Sequence, residues 1–379
     1  MALQGDDFNM KVMFRADASI DIGTGHVMRC LTLASALKEH GAECRFICRA
    51  HRGNLIQTIQ ESGFEVTVLP LLHPENLDFM REKGSLAHAN WLGAAQSDDA
   101  TECSLIVKDF GPDWLIVDHY AVDFRWQQLL KPHYKKLMVI DDLADRKHLA
   151  DILLDQTFGR SGDDYSDLVP HHCTKLCGTE YAILRPEFSK WRDLSLSRRN
   201  ASCLKKLLVN LGGVDKDNIT GQVLKIIKKH KNLPGNIEIV TVLGKSSPWA
   251  DQIKVLAASL PYKVTVMIGI TNMAELMSTC DLAIGAAGAT SWERCALGVP
   301  SILIVLAENQ ELIGKNLQDC GAAVTLGREH LNEGLEGLTD VLDRMSRFKL
   351  SNLSENSAKV CDGLGVDRVI SSIEVQQLR

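Results

Sequence analysis

At 379 residues the chain is longer than one hydrophobic core usually serves, so two domains of roughly 150 to 200 residues are expected. Apolar residues make up 45% and charged ones 24%, the balance of a soluble globular protein, and a net charge of −6 argues against a dedicated nucleic-acid binder, which needs a concentrated basic surface. Met1 to Asn9 is polar and acidic, without the basic start and apolar run of a signal peptide, and no apolar run is long enough to span a bilayer; the expectation is a cytoplasmic enzyme with no nucleic-acid or membrane partner.

From Lys11 onward, apolar strand-like runs alternate with helical patterns. Val12-Met13-Phe14 is the first run, and Gly23-Thr24-Gly25-His26 turns the chain into a helix from about Val27 to His40. Glu43 to Cys48, a helix from Asn54 and Glu65 to Leu69 follow, then a polar stretch from Asn76 to Asp98 and a helix near Ala100 to Phe110. Trp114 to Val117 reads as a buried strand ending in Asp118-His119-Tyr120, and Leu137 to Ile140 as another ending in Asp141-Asp142. Such alternation implies right-handed βαβ crossovers and a parallel sheet, which binds ligands at the carboxyl ends of its strands.

Between about Arg160 and Asn200 the pattern breaks around Pro170, Pro186 and the basic segment Ser195 to Arg199, as a connection between domains would. A second alternation starts with Leu207 to Asn210, turns at Gly212-Gly213, and continues through Ile237 to Leu243, Lys263 to Ile268, Leu282 to Ile284 and Ser301 to Val305. The expected architecture is α/β, with two Rossmann-like domains facing a cleft. The first covers residues 11–200 and the second 203–360, while a C-terminal helix within 361–379 packs back on the first.

Two glycine turns stand out. In the first, Gly23 and Gly25 allow close backbone approach or positive φ, and His26 lies at the mouth of a helix N-terminus. There the helix macrodipole disfavours the imidazolium, and a neutral imidazole can act as a base; the plainer alternative is a tight strand-to-helix turn with an incidental histidine. The second is Gly285 to Arg294, directly after a strand and opening a helix. Its small residues, with the Thr290 and Ser291 hydroxyls, suit a pyrophosphate, and Glu293 suits the two hydroxyls of a ribose; the alternative is a tightly packed junction. Asn210 to Asp215 can cover the phosphates from the other side, but it is neither a P-loop nor a complete dinucleotide fingerprint.

Other polar groups carry weaker signals. Asp17 and Asp21 precede the first turn, and Asp141, Asp142 and Asp145 cluster with Arg146 and His148. For the later cluster, caps, loop hydrogen bonds and ion pairs are favoured over a glycosidase-like acid and base or metal ligands. His119 and Tyr120, directly after a strand, lean toward an active-site rim. Eleven scattered cysteines suit reduced thiols, and His171-His172-Cys173 with Cys177 fits no common zinc spacing, so a loop with buried thiols and no metal is expected.

Taken together, Arg15 to Ser19, Ile22 to His26 with Arg29, Asp118-His119-Tyr120, Ile140 to Arg146 and Gly288 to Glu293 resemble one family. It is the UDP-2,4-diacetamido-2,4,6-trideoxy-β-L-altropyranose hydrolases of pseudaminic acid biosynthesis, and the resemblance runs from about Lys11 to Val369. It implies a glycosyltransferase-B-like fold and hydrolysis of a UDP-sugar at the anomeric carbon, with no cofactor or metal; the sequence does not fix the oligomeric state, and a monomer is the expectation. The resemblance implies His26 as the catalytic residue, with Asp17, Gly25, Arg29, Tyr120 and Asn309 on the sugar side. Gly213, Gly288, Ser291 and Glu293 match pyrophosphate and ribose contacts, and the Ile270 backbone faces uracil. A UDP-sugar glycosyltransferase on the same fold and a non-catalytic nucleotide-sugar-binding protein are the alternatives.

Overall fold

Each of the two alternating patterns becomes one parallel sheet. A computed structural model describes residues 10–71, 86–199, 203–245, 247–332, 335 and 337–377. The chain divides into two compact units, Met1–Ile183 with Val366–Arg379, and Leu184–Gly365.

In the first unit, seven strands are ordered β3-β2-β1-β4-β5-β6-β7: β1 Lys11–Ala16, β2 Glu43–Arg49, β3 Glu65–Leu69, β4 Trp114–Asp118, β5 Lys136–Ile140, β6 Ile152–Asp155 and β7 Thr174–Cys177. Successive side chains of a strand leave on opposite faces, so both faces of a covered parallel sheet must be apolar. Val12 and Phe14 accordingly join a core with Ile116, Met138 and Ile140 on one face. Met13, Leu115, Val117 and Val139 join another on the opposite face. The first core is closed by Val369, Ile370 and Ile373 of the helix Gly365–Gln377.

In the second unit, six strands are ordered β10-β9-β8-β11-β12-β13: β8 Lys206–Asn210, β9 Glu238–Leu243, β10 Lys263–Ile268, β11 Leu282–Ala286, β12 Ser301–Ile304 and β13 Ala323–Leu326. Both sheets therefore wind outward from a central strand and return beside it. The strands run parallel throughout, but the direction in which successive strands are added reverses between β1 and β4, and again between β8 and β11. At such a switch point the loops after the two strands part and leave a crevice, the place where open α/β sheets bind ligands.

Two features differ from the sequence expectation. The stretch expected as a connection contributes β7, which pairs in parallel with β6, another strand absent from the sequence expectation, beyond β5. Four residues such as Thr174-Lys175-Leu176-Cys177 are too short and polar to declare a strand; the edge they complete decides it. The helix Pro186–Arg199 belongs to the second unit, so the boundary falls at 183/184 and not near 200. Its arginines hold it there: Arg192 donates to the carbonyls of Ala358 and Cys361, and Arg199 to those of Cys280 and Leu297. Among the described residues no helix is long and apolar enough to cross a membrane, and no group of three or more His, Cys, Asp or Glu is placed to hold a metal ion.

Candidate active site

The turn after β1 leads into α1, Gly25–Glu39, and puts His26 on its first turn at the first switch point. Gly23 has φ +82°, a conformation that favours glycine, and nothing lies within 4 Å of the space a side chain would take at Gly23 or Gly25. His26 is 7% exposed and its Nδ1 lies 2.5 Å from Oδ1 of Asp118, the last residue of β4. Burial pushes the Asp118 carboxyl pKa up, but the charges of Arg29 and His26 and their hydrogen bonds outweigh it and hold the group well below the usual carboxylate range. An ionised carboxylate only accepts, so the neutral form of the imidazole carries its proton on Nδ1 and leaves the Nε2 lone pair open. A base oriented by a buried carboxylate is a recurrent arrangement for drawing a proton from water or a hydroxyl.

Arg29, one turn along α1, is engaged with carboxylates of its own unit. Its Nε and Nη2 grip the two oxygens of Asp118 at 2.6 and 2.8 Å, and its Nη1 reaches Oδ2 of Asp142 at 2.6 Å. All three nitrogens are thus engaged with carboxylates, and Arg29 links the His26–Asp118 pair to the end of β5. The same Asp142 oxygen accepts from the Tyr120 hydroxyl at 2.8 Å. Tyr120 meets the His26 ring edge-on at 4.6 Å between centroids, and burial together with Asp142 keeps its phenol protonated.

Asp17 is held internally as well. It is 1% exposed and is satisfied internally by Arg15 Nη1 at 2.7 Å, the Arg49 backbone N–H at 2.7 Å and His119 Nε2 at 3.1 Å, which leaves it supporting the loop from beneath. His119, buried by that contact and by accepting from the Ala121 N–H, is packing and not rim. In the later cluster, Asp141 pairs with Arg146 and accepts from Tyr165, as internal ion pairs and loop hydrogen bonds would. Cys173 is a buried free thiol just before β7, and Cys177 ends that strand, which corrects the expected loop; His172 faces Asp151 at 3.5 Å.

The aromatic wall around the site was hidden in the polar stretch. Trp91 stacks on Tyr120 at 5.8 Å, meets the His88 ring at a tilt at 4.3 Å, and lies 6.5 Å from His26. It also borders a cleft of 240 Å³ lined by Ser19 to Ile22, His51, Arg52, Asn90 and Trp91. A planar aromatic face beside open volume suits the apolar face of a sugar. Only a lone tryptophan marked it in the sequence.

In the second unit, the expected contacts all follow carboxyl ends of strands on one side of the sheet: Gly213 after β8, Ile270 after β10, Gly288, Ser291 and Glu293 after β11, and Asn309 after β12. Gly212 has φ +102°, and a side chain on Gly244 would strike the Gly213 carbonyl at 2.0 Å, so the ends of β8 and β9 touch backbone to backbone. Ser291 is buried, Asn309 is exposed, and Glu293 keeps 21% of its side chain exposed with Arg185 at 3.8 Å. Burial raises the Glu293 carboxyl pKa to about 7 against the opposing charges of Arg185 and Arg294.

Residues 207–368 match the glycosyltransferase family 28 C-terminal domain. Over 79% of its length the chain is 28% identical to an uncharacterized protein of Methanocaldococcus jannaschii, but the match spans only 56% of that relative. Over 80% of its length it is 27% identical to the UDP-2,4-diacetamido-2,4,6-trideoxy-β-L-altropyranose hydrolase of Campylobacter jejuni, spanning 94% of that protein. It is also 25% identical, over 81% of its length and 84% of the relative's, to the UDP-N-acetylglucosamine–N-acetylmuramyl-(pentapeptide) pyrophosphoryl-undecaprenol N-acetylglucosamine transferase of Alkaliphilus metalliredigens. Among solved structures, MurG of Acinetobacter baumannii matches with a TM-score of 0.67 at 17% identity, over 96% of this chain and 99% of MurG. The chain therefore has the glycosyltransferase-B fold of two parallel-sheet α/β domains, and two of the relatives it resembles are named for UDP-sugars.

Proposed function

We propose that this protein is an enzyme that hydrolyses UDP-2,4-diacetamido-2,4,6-trideoxy-β-L-altropyranose to UDP and the free sugar, a step in pseudaminic acid biosynthesis. The observation that carries an enzymatic reading is the His26–Asp118 pair at the first switch point, a base with its tautomer fixed and an open nitrogen. Water is a weak nucleophile. In the proposed step Nε2 of His26 takes its proton as oxygen attacks the anomeric carbon, and Asp118 stabilises the imidazolium that forms. The C1–O bond breaks with its electrons going to the β-phosphate, so UDP leaves with the bridging oxygen. The loops after β8 and β11 hold the diphosphate and Glu293 the ribose; the match of residues 207–368 to the family 28 domain supports that assignment.

The same match favours a second reading, transfer of the sugar to an acceptor hydroxyl deprotonated by His26. The deciding experiment follows UDP release from this UDP-sugar and from a panel of UDP-N-acetyl sugars in the absence of any acceptor. Rapid release from the diacetamido sugar alone is expected; release that waits for an added acceptor would establish the transferase.

Glu293 gives a separate check on UDP binding. Glu293→Gln is expected to weaken UDP by roughly 1 to 3 kcal/mol, the value of charge-assisted hydrogen bonds, and unchanged affinity in calorimetry would remove Glu293 from the site. The ionised carboxylate is the better acceptor for two hydroxyls. With its pKa raised to about 7, affinity should rise as pH increases through 7 in the native protein and lose that step in the variant.

A further inference from the structure

Arg294 is a buried cation with no carboxylate in ion-pair contact among the described residues, and Glu293, whose charge acts on it, has its own pKa raised by burial to about 7. Arg294 is 1% exposed. Its Nη2 donates to the Ala286 carbonyl at 2.7 Å and to Ser291 Oγ at 3.0 Å, both neutral acceptors, and its Nε is buried with no partner among the described residues. The guanidinium fits beneath the loop after β11 because Gly285 has no side chain: a Cβ there would lie 2.4 Å from Nη1. Taking an unpaired charge out of water is costly, and neutral acceptors recover only part of that cost. An anion seated on the loop supplies the missing charge. Its effect is strengthened by the low local dielectric.

The contact with Ser291 adds a direction to this field. A hydroxyl that accepts from an arginine has its own proton free to donate elsewhere, and the oxygens of an ionised phosphate only accept. Arg294 thus presents Ser291 as a donor.

We infer that Arg294 is a positioning residue that makes the loop Gly285 to Ser291 a receptor for the anionic diphosphate of its ligand, by supplying uncompensated positive charge from beneath and by fixing the Ser291 hydroxyl as a donor. The inference rests on the proposed binding of UDP by the second unit and names what in that unit recognises the phosphates. Arg294 itself touches no ligand atom in this assignment.

The test is calorimetry on the full chain with UDP, inorganic pyrophosphate and uridine, for the unchanged protein, Arg294→Met and Arg294→Lys. Arg294→Met should lose at least about tenfold in affinity for UDP and pyrophosphate and far less for uridine, as loss of one buried charge beneath a bound anion predicts. Its unliganded melting temperature should equal or exceed that of the unchanged protein, because a buried unpaired charge is gone. Arg294→Lys, which keeps the charge and a donor and guards against a methionine variant that fails to fold, should retain most of the pyrophosphate affinity. An equal loss for uridine, an undiminished pyrophosphate affinity in Arg294→Met, or a lysine variant as weak as the methionine one overturns the inference. If the unchanged protein binds pyrophosphate but not UDP, the UDP reading falls while the role of Arg294 stands. If it binds neither, both fall.

Discussion

His26→Asn is expected to lower the rate of UDP release by about 10²-fold or more, the usual contribution of a positioned base, with the fold and UDP affinity kept. Asparagine fills the same space and can still donate to Asp118, so the buried carboxylate keeps a partner and the loss falls on proton transfer. The position of attack is read independently by running the native reaction in ¹⁸O-labelled water. Attack at the anomeric carbon puts the label on the free sugar and none in UDP. Label in UDP would mean attack at phosphorus, and His26 would lose the part assigned to it.

Asp118→Asn should cost as much or more in rate, for a different reason. Its amide nitrogen would take the place of an acceptor opposite His26 Nδ1, and the imidazole could meet it only by moving its proton to Nε2. The open lone pair would then face inward and the base would be absent at every pH; in a hydrolytic triad the equivalent tautomer switch costs on the order of 10⁴ in rate. The same substitution removes one of the two carboxylates that hold the buried Arg29, so a stability loss on the order of 3 kcal/mol accompanies it. Denaturant melts with matched activity assays separate the two effects. A variant that retains full turnover while losing stability would reduce Asp118 to a structural anchor.

These two residues also divide what was readable from what was not. His26 stands out in the sequence because everything that distinguishes it is local: an apolar run, two glycines and a helical pattern lie within thirty residues. The same holds for the Gly212-Gly213 turn and the loop from Gly285, and for most of the strands, since the apolar runs of a buried parallel sheet are contiguous in the chain. Short β6 and β7 escape because four residues carry too little periodicity, and the 183/184 boundary escapes because a polar helix reveals its domain only through what its arginines touch.

What only the tertiary structure decided is which polar groups meet. Asp118 is 92 residues from His26, and Arg29 reaches partners 89 and 113 residues away; they are neighbours because β4 returns to lie beside β1 and β5 beside β4. The sheet order also set Asp17 and Arg29 in internal ion pairs, and it drew Trp91 out of a polar stretch to the edge of the site. By itself the sequence determined two α/β patterns, their glycine turns and a histidine at the first of them. Partners across a sheet are set by strand order, a property of the whole folded chain that no local pattern of residues encodes.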